Sequence, residues 1–252
     1  ARNAEKTLAE ALASVRAQSL TDFEVVLVDD GSTDGTRAIA ERCAAEDGRI
    51  RVVEGPGRGL VDALNLGLSS CRASFIARFD ADDVMHPDRL ALQVASLSAD
   101  PSLAAIGSRV RCFPEDSMRD GLRRYAAFLN DGLSHDDIVR HRFIEAPLVH
   151  PSVTFRRSAL DAVGGWHDPP WAEDWDLWMR LTRTDPRYSL DAMTQLRAYY
   201  MSRGPLQGRT AVVWGAGPVG KALVKALDAR GVRVRAYVDV DWRKVGQRVH
   251  GR

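Results

Sequence analysis

The stretch Phe75-Ile76-Ala77-Arg78-Phe79-Asp80-Ala81-Asp82-Asp83 decides how this chain is read. A short apolar run of alternating character ends in carboxylates at Asp80, Asp82 and Asp83, the pattern of a strand that delivers acids to a sheet edge. Carboxylates gathered this tightly repel one another unless a cation or a hydrogen-bond network neutralises them. A bound divalent metal is one explanation. A solvated acidic turn ahead of a helix starting near His86-Pro87 accounts for the same residues, because Asp-x-Asp is a weak motif.

The flanking sequence puts that strand in a repeating pattern. Leu8, Leu12 and Val15 recur at helical spacing, and Glu24 to Val28 is a β-rich run that ends at Asp29-Asp30-Gly31-Ser32. Ser32 or Thr33 is placed to cap a helix through about Cys43, and Ile50 to Val53 reads as a further strand. Leu60, Leu64 and Leu68 mark a helix opened by Gly57-Arg58-Gly59. After the Phe75 to Phe79 strand, Leu90, Val94 and Leu97 form a helical stripe and Ala104 to Val110 supplies another strand. This β/α alternation predicts a mostly parallel sheet covered on both faces. Ligands of such sheets bind outside the carboxyl ends of the strands, where Asp29-Asp30 and Asp80 to Asp83 both fall.

Composition bounds the function classes. The chain has 252 residues, 45% hydrophobic and 27% charged, which fits a globular protein with one large domain or two smaller ones. Lysine and arginine number 35 against 34 acids, so a formal net charge of +1 offers no overall field for nucleic acid or an anionic membrane. Cys43, Cys71 and Cys112 lack metal-ligand spacing and leave one unpaired, which points to buried thiols in a reducing, cytoplasmic setting. No run of about eighteen apolar residues and no signal peptide appears. Ala1 to Glu5 reads as a loop entering a helix, so an opening strand is expected to be missing from the start.

Taken in order, Asn3-Ala4-Glu5, Gln18, Val28-Asp29-Asp30-Gly31-Ser32-Thr33-Asp34, Gly59, Asn65, Phe79-Asp80-Ala81-Asp82-Asp83 and Glu173-Asp174 resemble family 2 glycosyltransferases of GT-A fold over roughly residues 1 to 181. The resemblance implies an α/β protein with a doubly wound mixed sheet flanked by helices, assigned to residues 1–200. It also implies an inverting enzyme that moves a sugar from a nucleotide diphosphate donor to an acceptor hydroxyl, the acceptor being a saccharide, a lipid-linked saccharide or a small molecule.

That reaction needs a base for the acceptor hydroxyl and positive charge for the departing diphosphate. Asp174, with Glu173 beside it, matches the family's base; by itself the pair reads as ordinary first-turn acids of a helix. Asp82 is the first choice for ligating Mg²⁺ or Mn²⁺. Asp83 either ligates too or orients its neighbours, and Asp80 meets the ribose or donor sugar. Asn3, Glu5, Asp29, Asp30 and Arg58 complete the donor set. Asp29 and Asp30 also fit a turn and cap network around Ser32, but the resemblance places the nucleotide at this edge and favours the donor role; Arg58 fits a solvated surface arginine nearly as well. The loop Gly165 to Trp171 suits an acceptor-binding wall or a set of core anchors, and a lone histidine such as His150 is more often structural.

Two departures stand out. The chain passes from Arg180-Leu181 directly to Thr182-Arg183-Thr184-Asp185-Pro186, without the family's basic or histidine-containing closing segment, so a break between Leu181 and Thr182 is expected. No Gln-x-x-Arg-Trp signature is present, which argues against a processive polysaccharide synthase.

Beyond a linker at Ser202-Arg203-Gly204-Pro205, residues 208–252 show a strand running into Gly215-Ala216-Gly217-Pro218-Val219-Gly220, then a helix, a second strand and Asp239. Gly215, Gly217, Gly220 and Asp239 would form a second nucleotide site in a partial Rossmann-like βαβ unit, with NAD(P) or another nucleotide as its ligand. The chain stops before a full Rossmann sheet. The rival readings are an NAD(P)-dependent oxidoreductase or nucleotide sensor built on this unit, or a non-catalytic sugar-nucleotide-binding subunit.

Overall fold

Alternating helices and strands build the first of two units, as the periodicity predicts, but the sheet order departs from it. The computed structural model describes residues 1–132, 134–142, 146–169, 172–182, 206–214 and 218–238. The first unit comprises Ala1–Val139 and Ala146–Thr184, the second Arg140–Glu145 and Asp185–Arg252. In the first lie α1 (Leu8–Arg16), β1 (Val25–Asp29), α2 (Thr36–Glu46), β2 (Ile50–Glu54), α3 (Leu60–Ser70), β3 (Phe75–Ala77) and α4 (Arg89–Ala99). They are followed by β4 (Ala105–Ile106), α5 (Asp120–Asp131), α6 (His135–His141, which runs across the unit boundary), β5 (Thr154–Arg156), α7 (Arg157–Ala162) and α8 (Glu173–Leu181).

The strands β1 and β2 pair in parallel, from Val25 opposite Ile50 to Asp29 opposite Glu54. β5 lies between β3 and β4 and runs antiparallel to both, so among the described residues this unit holds a parallel pair and a separate three-stranded antiparallel sheet rather than one mostly parallel sheet. This strand escapes the sequence reading because it is three residues long and begins only two positions after Pro151-Ser152. Its position is set by non-local contact: Thr154 and Phe155 are fully buried, and Phe155 stacks on Trp178 of α8 with ring centroids 5.6 Å apart. Loss of a phenylalanine so placed costs about 3–5 kcal/mol. β3 stops at Ala77 instead of Phe79, although Arg78 N–H still donates to Val153 O at 2.9 Å. β4 spans only two residues of the expected seven-residue run.

Two apolar clusters hold this unit. Leu8 and Leu12 of α1 pack with Leu27, Ala40 and Ile50, so α1 and α2 cover β1 and β2. Leu68, Ile76, Val153, Phe155, Leu160, Trp166, Leu177 and Trp178 join α3, α7 and α8 to β3 and β5. Ala1 lies along the edge of β1 away from β2: its amino group donates to Val28 O at 2.6 Å and its carbonyl accepts from Asp30 N–H at 2.9 Å.

Several local expectations are corrected. α2 is not capped by Ser32 or Thr33; Asp34 Oδ1 accepts from Thr36 N–H at 3.0 Å and Glu5 Oε2 from Gly35 N–H at 2.7 Å. Leu181 and Thr182 are continuous, because Thr182 closes α8 with its N–H donating to Trp178 O at 3.0 Å. The three cysteines are half-buried rather than buried, and all are free thiols. Among the described residues no helix is long and apolar enough to cross a membrane.

In the second unit β6 (Thr210–Trp214) and β7 (Arg233–Val238) pair in parallel, connected through α9 (Pro218–Asp228). Ala211, Val224, Ala226, Leu227, Val232 and Val234 make its core. Gly220 sits in the first turn of α9, whereas Gly215, Gly217 and Asp239 lie outside the described residues.

Candidate active site

The end of β1 is organised by its own carboxylates. Asp29 and Asp30 are each only 4% exposed. Asp29 Oδ1 accepts from Ser32 N–H at 3.2 Å, while Asp30 accepts from Gly57 N–H at 2.7 Å and Gly59 N–H at 2.9 Å, one to each oxygen. The loop after β2 must come this close for the bonds to form. A Cβ on Gly55 would lie 2.8 Å from Asp30 Cα, and Gly57 and Gly59 adopt φ of 70° and 114°, which favours glycine. The turn-and-cap network is therefore formed. A carboxylate offers about four lone-pair sites, so Asp30 retains acceptor capacity for a ligand. Asn3 and Glu5 are fastened to the same rim: Asn3 Oδ1 accepts from Thr33 N–H at 2.9 Å, Asn3 N–H donates to Ser32 Oγ at 3.1 Å, and Glu5 holds Gly35.

The end of β3 carries charge with fewer donors. Arg78, 8% exposed, is ion-paired with Asp80. Asp82 is exposed. Asp83 is half-buried, and burial first, then the charges of Asp80 and Asp82, push its carboxyl above the usual range, against Arg78 and Arg89. Burial brings the Arg89 guanidinium down to about 10. It remains the cation that ties this end together, donating to Pro151 O at 2.7 Å, Arg78 O at 3.0 Å, Gln93 Oε1 at 3.1 Å and Val153 O at 3.2 Å.

A cleft of about 910 Å³ joins these rims, and Asn3, Glu5, Asp30, Gly59, Asp80 and Asp82 line it together. Asp29, Arg58, Asp83, Glu173 and Asp174 do not. Arg58 is exposed and pairs with Asp62 at 2.9 Å, the arrangement of a solvated surface arginine. Among the described residues no three His, Cys, Asp or Glu side chains are grouped as a metal cage. The oxygen-only pair Asp82 and Asp83, under mutual repulsion, nevertheless fits a hard divalent cation that takes one or two carboxylates and completes its shell with phosphate oxygens.

α8 opens with Glu173 and Asp174, acids placed where a helix dipole favours negative charge. Asp174 Oδ1 accepts from Trp175 N–H at 2.7 Å. Glu173 has its carboxyl held below the usual range by the neighbouring His150 imidazole first, with burial acting in the opposite direction. The buried Asp176 carboxylate pairs with Arg180 Nε at 2.7 Å, and Arg180 Nη1 donates to Val163 O and Gly165 O at 2.7 and 2.8 Å, which fixes the preceding turn. Asn65 reaches across from α3, donating to Trp166 O at 2.7 Å and accepting from Trp166 N–H at 3.0 Å. A Cβ on Gly165, whose φ is 71°, would meet Asn65 Oδ1 at 2.6 Å. Trp166 is consequently a core anchor, 3% exposed, that also borders the cleft; Pro170 and Trp171 lie outside the described residues.

The sequence reading gave no role to Arg78, Arg89, Gln93 or Arg180. Only Arg78 carried a signal, as a charged residue inside an apolar strand run. The others look like ordinary helix residues until their carbonyl partners are known.

Comparison with known proteins agrees with this geometry. The model of Glycosyl transferase family 2 matches residues 1–164. The amylovoran biosynthesis glycosyltransferase AmsE of Erwinia amylovora is 31% identical over 182 residues, covering 71% of this chain and 66% of AmsE. The chain spans less than two thirds of the length of the curated relatives it matches first. Among solved structures, the mannosyltransferase PcManGT from Pyrobaculum calidifontis, in complex with GDP-Man and Mn²⁺, aligns with a TM-score of 0.57 at 21% identity, covering 91% of this chain and 67% of that one. Residues 1–349 of S. aureus TarS align with a TM-score of 0.59 at 18% identity, covering 90% and 68%. Both support the GT-A fold.

Proposed function

Since this chain belongs to glycosyl transferase family 2 and is a glycosyltransferase, we propose that it transfers a sugar with inversion from a nucleotide diphosphate donor to a hydroxyl-bearing acceptor. The single observation that carries the reading is the cleft in which Asn3 and Glu5 of the N-terminal segment meet Asp30, Asp80 and Asp82 from the ends of two strands. Asp30, with Asn3 and Glu5 on the same rim, receives the nucleoside, and Asp80, oriented by Arg78, meets the ribose or donor sugar. Asp82 and Asp83 would hold Mg²⁺ or Mn²⁺, which when bound offsets the charge of the diphosphate. Asp174 takes the proton of the acceptor hydroxyl as its oxygen bonds to the anomeric carbon, and the bond to the nucleoside diphosphate breaks on the opposite face. The name of AmsE, tied to amylovoran biosynthesis, supports a saccharide acceptor. We assign residues 1–200 to the transferase domain and 208–252 to a separate partial Rossmann-like unit.

A screen of nucleotide sugars for thermal stabilisation, with and without Mn²⁺, tests the reading, since a ligand that binds only the folded state raises its melting temperature. A metal-dependent rise with one nucleotide sugar is expected. No rise with any nucleotide diphosphate sugar would defeat it.

A further inference from the structure

His150 is buried, 5% exposed, and its two ring nitrogens face partners of opposite kind. Trp166 Nε1 donates to His150 Nε2 at 3.0 Å. An indole nitrogen is a donor only, so Nε2 must keep its lone pair and the neutral imidazole carries its proton on Nδ1. Nδ1 lies 3.7 Å from Glu173 Oε1, at the first residue of α8. That separation is longer than a formed hydrogen bond, and the Glu173 side chain, 24% exposed, has the torsional freedom to close it.

The histidine has no comparable freedom. Phe155, Trp166 and Trp178 surround its ring at centroid distances of 6.4, 5.9 and 6.0 Å. Trp166 is in turn clamped through its backbone by Asn65. A rigid line therefore runs from α3 through Asn65 and Trp166 to His150, which faces the acid that opens α8.

We propose that His150 is a positioning residue whose Nδ1 proton holds Glu173, and through it the first turn of α8, in the orientation from which Asp174 deprotonates the acceptor. The proposal rests on the transferase reading above. The lowered pKa of the Glu173 carboxyl agrees with it: His150 is the largest cause, Arg78 adds a smaller pull in the same direction, and burial opposes both.

Two amide substitutions separate the ring nitrogens. An asparagine amide reaches the region of Nδ1 and keeps a donor toward Glu173, whereas a glutamine amide reaches the region of Nε2 and satisfies Trp166 alone. His150→Asn is expected to keep kcat within a few-fold. His150→Gln should lower kcat about tenfold, the scale of coupling between residues in contact, with the donor KM unchanged. In the Glu173→Gln background the same His150→Gln change should cost little more.

Carbon-13 NMR of the Glu173 carboxyl, recorded on the protein without donor, reads the link independently of transfer. Its titration should move up toward the ordinary glutamate range in His150→Gln and stay low in His150→Asn. A glutamine variant with wild-type kcat and an unmoved Glu173 titration, beside an impaired asparagine variant, would show that the ring serves only Trp166 and would overturn the proposal. A wild-type protein that transfers no sugar defeats the transferase reading instead, and the Glu173 titration tells the two failures apart.

Discussion

Strands β1 and β3 both run out into aspartates, yet the two ends are neutralised in different ways. Asp29 and Asp30 are buried and receive three backbone N–H groups, one from Ser32 in the turn that follows β1 and two from Gly57 and Gly59 in the glycine-rich loop after β2. The acids after β3 receive no such loop. Asp80 has Arg78, Asp82 faces solvent, and Asp83 is pushed toward its protonated form by burial and by its neighbours. The same signature, a strand followed by acids, thus produces a rigid rim in one place and a charged, incompletely partnered rim in the other. The number of amides that the following chain brings back decides which. A cation or a polyhydroxyl ligand gains more at the second rim, because its interactions there are not already made.

Substitutions at the two rims and at the helix facing them can break this contrast. The largest effect is expected for Asp174→Asn, which should retain donor affinity while kcat falls about 10²–10⁴-fold, the range for loss of a general base; calorimetry and turnover measured side by side check it. Asp82→Asn should come next, weakening donor binding about tenfold or more, as should removing the divalent metal with a chelator. Its effect on folding stability should stay within about 0.5 kcal/mol, as at other exposed sites. Asp30→Ala should invert that pattern. Two loop amides lose their acceptor, so denaturant unfolding should show a loss of about 2 kcal/mol, and the donor effect should follow from a misplaced loop. Equal stability losses at Asp30 and Asp82 would erase the distinction between the rims.

The smallest effect concerns pH. The Glu173 carboxyl is depressed below its ordinary value of 4.5, so the folded state favours its charged form. The stabilisation is fully present above that value and is lost as pH falls through the lower folded-state value. Stability against pH in the acid range should therefore be flatter for Glu173→Gln than for wild type. An identical slope in the two proteins would mean that Glu173 is not held by its neighbours.

Much of this was legible along the chain. Helices α1, α3 and α4 and strands β1 and β2 follow from apolar spacing, because each element buries one face against its sequence neighbours. The acids at the two strand ends were equally visible. β5 was not, since three residues behind Pro151-Ser152 carry too little local pattern, and only pairing to both β3 and β4 makes them a strand. The same holds for Trp166, whose loop setting suggests exposure until Asn65 and Arg180 are seen to draw it and its neighbours inward.

The order of acids, glycines and apolar runs by itself carried the resemblance to family 2 glycosyltransferases and put carboxylates at the strand ends, because apolar periodicity fixes where a strand runs out and backbone geometry fixes where a turn needs glycine. Tertiary structure alone decided which carboxylates are already occupied. A hydrogen bond depends on where a distant amide, guanidinium or imidazole comes to rest. Gly57 reaching Asp30, Arg89 reaching the carbonyls of Arg78 and Val153, and Trp166 fixing the His150 tautomer all join residues of different elements or loops, from 11 to 64 positions apart.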